Sequence, residues 1–139
     1  MARVAEAMPR FTDTVTHWQR EAGADTASTT LIGFSQGAIM SLESTQQGGT
    51  LAGRVVAIAG RFAQAPRRAP SGTALHLMQG DQDRVMPLAL AVDANAALQV
   101  LGAAVTLDTF AGLGHGVDSR VLHRIAERLD EDVPTGPAA

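Results

Sequence analysis

Apolar residues along the chain change repeatedly between helical and strand spacing. Val4, Met8, Phe11, Val15 and Trp18 recur at steps of four and three, which marks one buried helix face. Gly23 is a suitable stop for that helix, and Pro9 within it predicts a kink or a late start. Residues 29–34 then form a short apolar run that reads as a buried strand. A helix is expected over 36–47, with Ile39, Met40 and Leu42 available for packing. A second strand follows over 54–59, and 60–72, with Pro66, Pro70 and two glycines, reads as loop with at most a short helix. The third strand covers 73–78. Pro87 suits a first helical position, and Leu88, Val92, Leu98 and Leu101 give a stripe that ends at Gly102. The fourth strand covers 105–110, and Asp118 is placed to cap a last helix whose face is Val121, Leu122, Ile125 and Leu129.

Strands joined by a dozen or more residues pair in parallel, because hairpin connections are too short for that topology. Near-continuous apolar strands agree, since such strands are covered on both faces. The predicted architecture is an α/β sandwich of about four parallel strands with helices on both faces. It occupies one domain over residues 1–130, with a flexible tail over 131–139.

Composition narrows the partners. Of 139 residues, 45% are hydrophobic and 18% charged, as in a globular chain. The net charge of −3 and the lack of a basic run interleaved with aromatics argue against nucleic acid. With no cysteine, a thiolate metal site, a disulfide framework and a Cys nucleophile are excluded. No apolar run reaches the length of a membrane span, and the first residues lack the apolar core of a signal peptide, so a cytoplasmic enzyme is expected.

Three motifs fall at the C-terminal ends of three strands, where function collects in α/β sheets. Gly33-Phe34-Ser35-Gln36-Gly37 sits at a strand-to-helix junction, where a sharp turn lifts the Ser35 hydroxyl above the sheet and glycines Gly33 and Gly37 remove clashing Cβ atoms. The string alone is common, and its position between an apolar strand and a helix gives it weight. Gly80-Asp81-Gln82-Asp83 follows the third strand and offers two carboxylates able to orient an imidazole. Asp beside Gly is ordinary turn chemistry and a cap would explain Asp83, so the residues alone leave the acid open. Gly112-Leu113-Gly114-His115-Gly116 follows the fourth strand and would carry an exposed imidazole back to the sheet end. His17, His76 and His123 lie within elements and have structural explanations. No His or acid cluster has metal-ligand spacing, so no metal is expected.

Leu31-Ile32-Gly33-Phe34-Ser35-Gln36-Gly37-Ala38, Gly80-x-x-Asp83-x-Val85-x-Pro87 and Gly114-His115 together resemble the phospholipase/carboxylesterase family of α/β-hydrolases, relatives of acyl-protein thioesterases. The chain order Ser35, Asp83, His115 is the order of that fold. The resemblance implies hydrolysis of carboxylic esters, thioesters included, without a cofactor. It makes Ser35 the nucleophile, His115 the general acid/base, Asp83 its orienting acid and the Gln36 backbone N–H an oxyanion donor.

The family domain begins with further strands and a His-Gly loop that supplies the second oxyanion donor, and nothing here corresponds to them. The chain therefore resembles only the C-terminal part of the domain, an N-terminally truncated α/β-hydrolase fold, and a mis-assigned start or partial gene is expected over a genuine short protein. Losing one oxyanion donor costs about 3 kcal/mol of transition-state stabilisation. The Ser35 strand would also lack a neighbour, and such an edge favours homodimerisation. The competing reading is a non-catalytic binding module that keeps the three residues without turnover.

Overall fold

A computed structural model describes residues 2–131. Its elements are α1 (Ala2–Ala22), β1 (Thr30–Phe34), α2 (Gln36–Ser44), β2 (Arg54–Ile58), β3 (Ala74–Gly80), α3 (Leu88–Val100), β4 (Val105–Phe110) and α4 (Ser119–Leu129). The tail expected over 131–139 lies, from 132 onward, outside the described residues.

The four strands form one parallel sheet in the order β1-β2-β3-β4, with Phe34 opposite Ile58 and Ile58 opposite Met78. This sets the ends of β1, β2 and β3 along one edge. Side chains alternate across the sheet. Val55, Ala57, Leu75 and Leu77 pack against Leu42 of α2 and Ala94 and Leu98 of α3. Val56, Ile58, Met78 and Phe110 pack against Val121 and Ile125 of α4. Every residue of β2 and β3 is buried, which accounts for their mostly apolar make-up, with Arg54, His76 and Gln79 as the buried polar exceptions.

The helices depart from the expected faces. α1 runs unbroken through Pro9. Ala5 and Pro9 are both exposed, so the carbonyl that loses its amide partner lies where water satisfies it. α1 packs on α2 rather than on the sheet, which leaves Met8 buried and Trp18 64% exposed against the His17 ring. Pro87 precedes the first residue of α3 instead of occupying it. The buried face of α3 is Ala91, Ala94 and Leu98, while Val92 and Leu101 are exposed. Small side chains bring this helix close to the sheet, and close packing rather than residue size selects its face. In α4, Val121 and Ile125 are buried but Leu122 and Leu129 are not. Asp118 caps α4, accepting the N–H groups of Arg120 and Val121.

Beyond β1 no further strand pairs among the described residues. Ile32 and Phe34 on that strand are 52% and 41% exposed, which leaves an apolar sheet margin.

Candidate active site

The turn from β1 into α2 holds one of the two non-glycine residues with positive φ among the described residues. Ser35 has φ 54° and ψ −112°, a conformation that L-residues rarely adopt. Two backbone bonds hold it there: the Ser35 N–H donates to Ile58 at 2.9 Å, and the Ile39 N–H donates to Ser35 at 3.0 Å. The Ser35 side chain makes no capping bond to the helix. Its hydroxyl is therefore not spent on structure.

The two flanking glycines differ. A Cβ on Gly33 would sit 2.4 Å from the Gly37 backbone, so β1 can meet the first turn of α2 only without a side chain there. A Cβ on Gly37 would meet nothing within 4 Å. The steric demand expected of both falls on Gly33 alone, because the α2 backbone at Gly37 is the surface being approached.

His115 arrives on the loop after β4. Its Nε2 lies 3.1 Å from Ser35 Oγ and its Nδ1 lies 2.8 Å from Asp83 Oδ2. The Asp83 side chain is fully buried. Its Oδ1 accepts the N–H groups of Val85 and Met86, each at 2.8 Å, and its Oδ2 accepts Gln79 Nε2 at 3.1 Å as well as His115. Burial pushes the Asp83 pKa up. Hydrogen bonds from Met86, His115, Gln79 and Val85 outweigh that and hold it below the ordinary carboxylate value. An ionised Asp83 accepts from His115 Nδ1–H, which leaves Nε2 as an acceptor for the Ser35 hydroxyl. Asp81, the competing acid, points elsewhere and accepts the Gly112 N–H at 2.8 Å.

The structure thus brings Ser35, His115 and Asp83 into one relay and sets Gln36 as the first residue of α2, with its N–H at the positive end of the helix dipole. Three residues contribute in ways that the sequence reading did not assign. Gln79, buried inside β3, donates to both Asp83 and the Met86 carbonyl. Its signal was a polar residue in an otherwise nearly apolar strand. Phe34 lies against the His115 ring, with centroids 4.9 Å apart and a 40° tilt. Gly80 allows the His115 loop to close, since a Cβ there would stand 2.2 Å from the Leu113 carbonyl oxygen.

The sequence pattern of the phospholipase/carboxylesterase family matches residues 1–132. Esterase YpfH of Escherichia coli (strain K12) is 45% identical over 133 residues, which are 96% of this chain and 57% of that protein. The chain thus spans a little more than half the length of this relative. Among solved structures, esterase PE8 superposes with a TM-score of 0.83 at 25% identity, covering 95% of this chain and 63% of its own. The Bacillus cereus carboxylesterase does so with a TM-score of 0.80 at 16% identity, covering 91% of this chain and 60% of its own. At that identity the likeness speaks for the fold, the four-stranded parallel part of an α/β-hydrolase.

Proposed function

Because the chain belongs to the phospholipase/carboxylesterase family, we propose that it hydrolyses carboxylic esters, thioesters included, through an acyl-enzyme on Ser35. One observation carries the reading: a hydroxyl held on a strained turn, free of capping duty, lies 3.1 Å from an imidazole whose other nitrogen faces a buried carboxylate.

The chemistry follows from that relay. His115 Nε2 takes the Ser35 proton as Oγ attacks the ester carbonyl. Negative charge develops on the carbonyl oxygen and is met by the Gln36 N–H at the head of α2. Asp83 stabilises the imidazolium. His115 then returns the proton to the departing alcohol or thiol, and a water activated by the same nitrogen releases the acid. The test is a burst of p-nitrophenol from an activated ester together with covalent labelling by a fluorophosphonate. Absence of both would favour the non-catalytic binding module.

Two further results are expected. Gly80→Ala forces its new methyl against the Leu113 carbonyl and so moves the loop that carries His115. A shift of about 1 Å there should lower kcat about 100-fold, and an unchanged kcat would show that the loop absorbs the methyl. The open margin of β1, with exposed Ile32 and Phe34, supports pairing with a second copy. Analytical ultracentrifugation should then find a dimer that Ile32→Lys dissociates, and a monomer at every concentration would remove this reading.

A further inference from the structure

Gln79 lies where the core would otherwise continue. Side chains alternate along β3, so it follows Leu75 and Leu77 on the face that packs against α2 and α3. It is 2% exposed, and a carboxamide buried there costs more than another leucine unless hydrogen bonds offset the lost water. Its Nε2 meets three acceptors: the Met86 carbonyl at 2.9 Å, Asp83 Oδ2 at 3.1 Å and the Gly80 carbonyl at 3.2 Å. All three lie between the end of β3 and the start of α3.

Residues 81–87 of that stretch form neither helix nor strand, so their shape depends on what their polar groups find. Met86 is held twice, since its N–H donates to Asp83 Oδ1 and its carbonyl accepts from Gln79. Asp83 is likewise held at both oxygens, Oδ1 by two backbone amides and Oδ2 by Gln79, and the place left on Oδ2 goes to His115. Apart from His115, these donors are neutral. The carboxylate is thus fixed without a cation drawing on its charge. The other ionisable groups around it are Asp81 and Arg84 in the same segment and Arg61 after β2, which borders a small cavity with Gln79. Asp81 is committed to the Gly112 N–H, Arg84 is exposed, and α3 turns Leu90, Ala91 and Ala94 to the cavity.

We propose that Gln79 is a positioning residue for the reaction, a neutral donor that aims Asp83 Oδ2 at His115 Nδ1 and leaves the carboxylate's charge to the imidazolium. This rests on the esterase reading above. Two changes at the position then act in opposite directions. Without the donor, the Asp83 anion is less well stabilised, so the Asp83–His115 dyad holds its proton more tightly and activity begins at a higher pH. With a cation in its place, the anion is partly neutralised, the dyad releases its proton at a lower pH, and the base it leaves is weaker.

The experiment compares the wild type with Gln79→Met, which keeps the length of the side chain but donates nothing, and Gln79→Lys, whose three N–H donors suit the same three acceptors. Rates on p-nitrophenyl acetate across pH are referred to the sites that a fluorophosphonate labels, so that misfolded protein drops out. Nitrogen-15 shifts of the His115 ring are followed over the same pH range and read the dyad without turnover. The acid limb of kcat/KM is expected about one pH unit higher in Gln79→Met and about one unit lower in Gln79→Lys. At the plateau kcat should fall about tenfold in both, with KM within about twofold, because Gln79 is buried behind Asp83 and meets no substrate. Limbs and ring titrations that stay put, or that move the same way in both variants, would make Gln79 purely structural and overturn the proposal, as would a failure of both variants to fold. A wild type inert towards the ester overturns the esterase reading instead, and opposite shifts of the ring titration would still uphold the positioning of His115 through Gln79.

Discussion

Ser35→Ala is expected to lower kcat for an activated ester about 10⁶-fold, the loss typical of removing a triad serine, while the protein stays folded. The two halves of that statement have separate grounds. Activity falls because no other hydroxyl lies within reach of His115 Nε2 in the described relay, so the acyl-enzyme has no place to form. Stability holds because the turn is kept by backbone bonds from Ser35 to Ile58 and from Ile39 to Ser35, and the serine side chain caps nothing. Alanine carries the same Cβ through φ 54° and so meets the same strain that serine already bears. Intact mass after fluorophosphonate treatment should show one adduct on the wild type and none on the variant, with melting temperatures alike. Labelling that persists in Ser35→Ala would remove this residue from the mechanism.

The sheet was legible in the sequence because β2 and β3 are buried on both faces, so their residues are mostly apolar and the polar Arg54, His76 and Gln79 stand singly rather than in a cluster that reads as a turn. Helix faces were harder. Leu122 and Val121 are neighbours, both apolar, and only the placement of α4 over Val56 and Met78 decides that Val121 is inside. In α3 nearly every position is apolar, so spacing carries no direction and the alanines take the sheet. Trp18 was misjudged because a helix that packs on another helix has a narrower buried stripe than one lying on a sheet.

The site divided along similar lines. Ser35 and His115 stand out because each sits among glycines at a strand end, a local pattern. The choice between Asp81 and Asp83 came from the family resemblance, since both are short acids in one turn. Their difference is spatial: Asp83 reaches His115, and Asp81 reaches the Gly112 amide. Phe34 had no readable signal, being an aromatic whose neighbour His115 belongs to another strand's loop. Residues that support others are recognised by contacts, and contacts of this range are not written in spacing.

The same buried geometry makes Asp83→Asn a sharper test than removal of the side chain. Oδ1 is already committed to the N–H groups of Val85 and Met86, so the new amide must place its own oxygen there. Its NH₂ then occupies the position of Oδ2 and points a donor at His115 Nδ1. The imidazole answers by moving its proton to Nε2, the nitrogen that must accept from Ser35, and the general base is lost although every heavy atom stays in place. The expected fall in kcat is about 10⁴-fold, as for the equivalent change in serine proteases. Gln79 Nε2 would also face a donor, so the variant should lose some stability as well. Nitrogen-15 chemical shifts of the His115 ring give the direct check: protonation at Nδ1 in the wild type and at Nε2 in the variant. Unchanged ring shifts with unchanged kcat would mean that Asp83 does not orient His115 in solution. A shift of tautomer without loss of rate would place the proton acceptor elsewhere.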